Sequence, residues 1–78
     1  MQHVDLLREN LEIFFQAVHA HADASLIEER SELNHRLAVY ELNDEVFLFH
    51  FSDTSLSQLM IFENVPEALH FLRTFSPE

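Results

Sequence analysis

The sequence contains no glycine, cysteine, tryptophan or lysine, and these absences exclude several classes of function. Without glycine the chain cannot build the phosphate-cradling loops of P-loop or dinucleotide-binding folds, which need positive φ and close backbone approach. Without lysine it has no Schiff-base chemistry. Without cysteine it has no thiolate nucleophile, thiolate metal site or disulfide, so nothing indicates an oxidising compartment. We therefore expect a cytoplasmic protein.

Basic residues are also scarce, since 4 arginines face 14 acidic residues and the formal net charge is -10. A charge of this sign repels a phosphate backbone, which predicts that the chain does not bind nucleic acid directly. Long apolar runs are missing as well. No segment approaches the roughly 20 apolar residues of a membrane span, and the N-terminus lacks the pattern of a signal peptide. We expect no membrane partner.

The chain has enough apolar residues to fold, because 47% of it is hydrophobic and eight residues are phenylalanine. Disordered acidic tails are poor in aromatic residues and cannot bury enough apolar surface to offset their entropy. Residues 1–78 are therefore predicted to form a single acidic α+β domain. A domain of this size without a disulfide often needs a second subunit for stability, which favours a homodimer.

Apolar residues spaced three and four apart predict a first helix from about residue 4 to residue 22. A second apolar set widens this stripe, which indicates that the helix touches more than one surface. The last helix begins near Asn64, which caps it, with Pro66 in the first turn and Glu67 completing the capping box. Residues 25–35 fit two alternatives, a short helical turn and a loop that leads into an edge strand. The stripe consists of Val4, Leu7, Leu11, Phe14, Phe15, Val18 and Ala22, and the second set of Leu6, Ile13, Ala17 and Ala20.

A period of two predicts strands at 37–42 and 45–51, joined by a tight turn at Asn43 and Asp44. Counting from that turn pairs Tyr40 with Phe47, Ala38 with Phe49, Val39 with Leu48 and Leu37 with His50. A third strand is predicted from Gln58 to Glu63. The expected fold is α+β, a two-layer sandwich in which a three-stranded antiparallel meander is flanked by an N-terminal and a C-terminal helix that together cover one face.

The hairpin from Tyr40 to Phe51 and the segment Ile61-Phe-Glu-Asn-Val65, which runs directly into the last helix, carry one resemblance. In these features the sequence resembles the small α-β-β-β-α proteins of Firmicutes known as the YkuJ-like group. It departs from that group in having no glycine in its turns. The resemblance implies a fold and a bacterial origin, and it implies no activity, because the group has no assigned chemistry.

Both faces of the predicted sheet are apolar, and two helices on one face leave the other uncovered. Contiguous apolar patches usually mark an interface. Aromatic residues bury more area each, so the Phe/Tyr face is assigned to the core and the aliphatic face to a partner. The leading hypothesis is a protein-interaction module, homodimeric, with no catalytic residue and no cofactor. The predicted interface consists of Leu37, Val39, Val46 and Leu48, bordered by His50.

Two other functions fit parts of the pattern. Clustered acidic residues resemble the charge of DNA, which favours an inhibitor of a nucleic-acid-binding protein, although a solvated acidic face gives the same pattern. Six histidines favour a metal-binding protein, although ordinary surface histidines are the alternative. The acidic cluster is Glu28, Glu29, Glu32, Glu41, Asp44 and Glu45, and the pairs with ligand spacing are His19 with Asp23, Glu32 with His35, and Glu67 with His70.

Overall fold

The structure, a computed structural model, describes residues 2–4 and 8–76. Four eight-residue strands form an antiparallel meander, and a three-residue strand adds to its last strand, which gives the sheet order β1-β5-β4-β3-β2. The α+β class is confirmed, but the sheet has more strands than the three predicted. The elements are β1 (Gln2–Val4), α1 (Arg8–Ala20), β2 (Ser25–Glu32), β3 (His35–Leu42), β4 (Glu45–Ser52), β5 (Ser55–Phe62) and α2 (Val65–Thr74).

Helix α1 is shorter than predicted at both ends. Val4 belongs to β1 and pairs with Leu59 of β5, so the helix does not begin there. Residues 5–7, which include Leu6 and Leu7 of the predicted apolar sets, lie outside the described residues. The helix ends at Ala20, two residues before the predicted end.

The register of the central hairpin is as predicted, with Tyr40 opposite Phe47 and Leu37 opposite His50. Asn43 and Asp44 form its turn at φ 52° and 67°, both in the left-handed region that this turn requires. The chain meets the same requirement elsewhere without glycine, at Leu33 (φ 55°). Leucine is uncommon at positive φ, so this turn has no sequence signature.

The two helices cover opposite faces of the sheet, so the predicted two-layer arrangement is wrong. Helix α1 packs on the face that carries Tyr40, Phe47 and Phe49. Helix α2 packs on the aliphatic face through Ala68 and Leu72. The two-residue link after β5 directs α2 to the face where Met60 and Phe62 point, and α1 crosses the other face on its way from β1 to β2.

Residues 25–35, for which two alternatives were open, form edge strand β2 and its turn into β3. A bulge at Ile27 interrupts the pairing of β2 with β3. Charged side chains and bulges both protect an edge strand from pairing with another chain. Strand β2 has both features, which disfavours association through this edge.

Candidate interaction surface

The aliphatic side chains of the predicted interface are core residues. Leu37, Val39, Val46 and Leu48 are each at most 1% exposed, because α2 lies across them. The premise of that prediction was an uncovered aliphatic face. The face is covered within the single chain, so these four residues are not available to a partner.

His50, the fifth residue of that prediction, is half-buried at the edge of the α2 face. Its Nε2 lies 3.0 Å from Nδ1 of His35. The ring centres are 5.2 Å apart, which is close to the maximum for two imidazoles whose nitrogens are 3.0 Å apart. The two nitrogens therefore point toward each other. Such a contact needs one protonated and one bare nitrogen, so the neutral pair shares a single hydrogen between the two atoms.

The surroundings of His50 disfavour its protonation. Burial lowers the pKa of His50, the nearby His35 lowers it further, and a hydrogen bond with Gln58 opposes both. The ring of Phe75 packs against both imidazoles, with centroid distances of 5.6 and 5.0 Å. Arg30 holds this end of α2 in place, because its Nη1 donates to the carbonyl oxygens of Leu72 and Phe75, each at 2.8 Å.

On the other face, α1 packs through large rings and leaves space beside itself. Its ring contacts are edge-to-face, from Phe14 to Phe47 at 5.3 Å and from Phe15 to Phe49 at 4.9 Å between centroids. Phe14 and Phe15 both stay half-buried. A groove lies on each side of the helix, one lined by Phe15 and the other by Phe14.

The larger groove, the Phe51 groove, has a volume of about 640 Å³. Its apolar walls are Phe15, Phe51 and Leu56, and Ile13 stands on its rim with 68% of its surface exposed. The guanidinium of Arg36 lies 4.9 Å from the centre of the Phe51 ring. The complete lining is Glu12, Ile13, Phe15, Gln16, Phe51, Thr54 and Leu56.

The smaller groove, the Phe47 groove, has a volume of about 260 Å³ and lies on the other side of α1. Its lining is largely apolar, with polar groups from the end of α1 and from the turn between β3 and β4. The lining residues are Phe14, Ala17, Val18, His21, Leu42, Asn43, Glu45 and Phe47. Ile13 and Ala17 both belong to the second apolar set of the sequence, and one of them lines each groove. That α1 touches more than one surface stays a prediction.

Three arginines lie toward one end of the sheet, and each of them pairs with a glutamate of β2. The pairs are Arg30 with Glu32, Arg36 with Glu29 at 2.7 Å, and Arg73 with Glu28 at 2.8 Å. The hydrogen bond from Arg73 is the main cause that lowers the pKa of the Glu28 carboxyl. These pairs neutralise three of the six acids in the predicted cluster.

The other three acids lie at the opposite end of the sheet. Glu41, Asp44 and Glu45 are beside the turn between β3 and β4. Asp23 and Glu63 join them there, because Ser25 pairs with Glu41 and Phe62 with Val46. We call this end, defined by Asp23, Glu41, Asp44, Glu45 and Glu63, the acidic end. The end with the arginine pairs is the arginine end.

The histidine pairs with ligand spacing do not assemble a metal site in the part of the chain that the structure describes. No three His, Asp or Glu side chains there come together in a group that could hold an ion. Nδ1 of His19 lies 3.0 Å from the Tyr40 hydroxyl, and Glu32 pairs with Arg30. Within the same residues, neither helix is long and apolar enough to cross a membrane.

Comparisons of the chain with protein-family models, with curated proteins and with solved structures find no match. The resemblance to the YkuJ-like group stays a prediction. Inferences about function therefore depend on the two grooves, the histidine pair and the separation of charge.

Proposed function

We propose that the chain is a non-catalytic protein-interaction module that forms a symmetric homodimer through the Phe51 groove. One observation carries this proposal: Ile13 is exposed and stands directly beside an apolar groove on the same surface. In a twofold dimer each subunit presents the same patch, so a protruding residue next to a groove is self-complementary. Ile13 of each subunit then enters the groove of the other.

The hydrophobic effect favours this contact, and it acts at two equivalent places in the symmetric dimer. Burying an isoleucine side chain contributes about 1.5–3 kcal/mol, and symmetry doubles the contribution. Association costs several kcal/mol in lost rotational and translational freedom, so only the surplus appears as affinity. We expect a dissociation constant on the order of micromolar, as for a small interface.

The distribution of charge favours the same surface. Two chains of charge -10 repel each other, and the repulsion is smallest where the arginines lie. The Phe51 groove is at the arginine end, where Arg36 covers one side of the Phe51 ring. Glu12 lies on the rim of the groove. We expect Glu12 of one subunit to approach the partner's Arg36 across the dimer axis.

Sedimentation equilibrium of Ile13→Asp tests the proposal. The substitution places a charge in the contact, so we expect a monomer at concentrations where the wild type is a dimer. Leu26→Asp is the matched control, because Leu26 is also exposed, at 52%, but lies on β2. It adds the same charge and should leave the dimer intact.

Two results would overturn the proposal. One is a wild-type chain that stays monomeric well above micromolar concentration. The other is an Ile13→Asp variant that dimerises as tightly as Leu26→Asp. Circular dichroism of both variants shows whether each is folded, so a loss of dimer is separated from a loss of structure.

A further inference from the structure

We infer that the Phe47 groove is a second docking site, which takes one apolar side chain from a basic segment of another protein. The groove lies at the acidic end, on the other side of α1 from the Phe51 groove. Its occupancy therefore does not depend on the proposed dimer. The inference names a partner of different chemistry from a second copy of this acidic chain.

The shape of the groove fits a single anchor residue. Pockets for small-molecule ligands generally measure about 300–1,000 Å³, and this groove is below that range at about 260 Å³. Its floor contains the Phe14 and Phe47 rings in edge-to-face contact, beside the buried Val18. Anchor residues that fill such apolar pockets dominate the energy of protein interfaces.

Charge complementarity selects a basic partner. Glu45 lines the groove, and Asp44 adjoins it in the turn. The N–H of Asp23 donates to Nδ1 of His21, another lining residue, at 3.0 Å, which places Asp23 at the same rim. The arginines of the three ion pairs lie against Glu28, Glu29 and Glu32 on β2, so their charge is directed away from this groove.

The apolar groove makes the proposed docking site more specific than an acidic surface alone would be. An acidic patch alone attracts any cation, with an affinity that falls steeply as salt is added. An apolar pocket surrounded by carboxylates favours a segment that carries both an apolar side chain and basic neighbours. Nucleic acid and acidic peptides are disfavoured at the same site, because their charge has the same sign as the rim.

The test is an NMR titration of the ¹⁵N-labelled chain with the peptide acetyl-Arg-Arg-Phe-Arg-Arg-amide. We expect the largest shift changes at the amides of Ala17, Leu42 and Phe47. A peptide with serine in place of phenylalanine keeps the charge and removes the anchor. We expect it to bind at least about tenfold more weakly, the equivalent of about 1.4 kcal/mol. An acidic peptide, acetyl-Glu-Glu-Phe-Glu-Glu-amide, should not bind.

Ala17→Phe provides the matching variant of the protein. It fills the groove and leaves the charge unchanged, so it should abolish the difference between the phenylalanine and serine peptides. Ala20→Phe is the control, because Ala20 is also exposed on α1 and does not line the groove. It should bind the phenylalanine peptide as the wild type does.

Three results would overturn the inference. The first is that the serine peptide binds as tightly as the phenylalanine peptide, which would mean that charge alone attracts both. The second is that the shift changes map to the Phe51 groove. The third is that the amides around Phe47 shift with protein concentration in the absence of peptide, which would mean that a second copy of the chain occupies this groove.

Discussion

The two faces of the sheet are equally well covered directly under their helices and differ beside them. Leu37 and Val39 under α2 are 0% exposed, and Ala38 and Phe49 under α1 are 0% exposed as well. Beside α1 the cover is partial, because a groove remains on each side of that helix. The number of apolar residues on a face therefore does not show where such grooves lie.

The side chains of α1 explain where its two grooves lie. The buried contacts of α1 with the sheet are Leu11 and Val18. Phe14 and Phe15 are half-buried and lie edge-on against rings of the sheet. Phe14 lines the Phe47 groove and Phe15 lines the Phe51 groove, so each ring forms one wall of a groove.

Truncating a residue buried under α2 and an exposed residue beside the Phe51 groove would test this comparison most strongly. Leu72→Ala should lower the free energy of unfolding by about 2–5 kcal/mol, because Leu72 is fully buried under α2. Ile13→Ala should change it by less than about 0.5 kcal/mol, since Ile13 is mostly exposed in the monomer. Urea unfolding of both variants at concentrations that keep the chain monomeric gives the two values. Equal losses would contradict the difference in burial between the two side chains.

Substituting Arg30 tests whether hydrogen bonds also stabilise the packing of α2 on its face of the sheet. Arg30→Met removes two hydrogen bonds to the carbonyls of Leu72 and Phe75 and keeps most of the side-chain volume. We expect a loss of about 1–3 kcal/mol in urea unfolding, because half-buried carbonyls lose their donor. Arg73→Met is the control and should cost less than about 1 kcal/mol, since its ion pair with Glu28 is exposed. A larger loss for Arg73→Met would contradict this interpretation.

The histidine pair gives the α2 face a dependence on pH. The pKa of His50 is lowered in the folded state from its ordinary value of 6.5, chiefly by burial. At a pH between the folded and unfolded pKa values of His50, the unfolded chain binds a proton at this residue and the folded chain does not. The free energy of unfolding therefore falls as the pH drops below 6.5 and levels off below the folded pKa. His50→Gln removes this loss, and His70→Gln, exposed on α2, should retain it. Urea midpoints from pH 8 to pH 5 that are parallel for His50→Gln and wild type would contradict the effect.

Much of the fold could be predicted from local patterns. The Asn43-Asp44 turn defined the register of the central hairpin, and Asn64 marked the start of α2, where its Oδ1 accepts from the Glu67 N–H at 2.9 Å. Strand β2 has no such local signal, for a physical reason. It is an edge strand exposed along most of its length, so its sequence lacks the alternation of a half-buried strand, and its turn depends on Leu33.

The position of the grooves could not be predicted from the same patterns. Apolar spacing places Phe14, Phe15 and Leu11 on one stripe, and only the packing shows that Leu11 is buried while the two rings stand half-exposed. The face that α2 covers depends on its link to β5, a tertiary feature. The predicted aliphatic interface is wrong because α2 covers that face. Ile13, in contrast, belongs to the second apolar set of the sequence.

The most direct test of the proposed dimer is an isotope-filtered NOE experiment on a mixture of labelled and unlabelled chains. It detects contacts between subunits and ignores those within one. We predict NOEs from the methyl groups of Ile13 in one subunit to the ring protons of the partner's Phe51. A dimer whose intermolecular NOEs come from Leu26 and Ile27 of β2, with none from Ile13, would contradict the proposal.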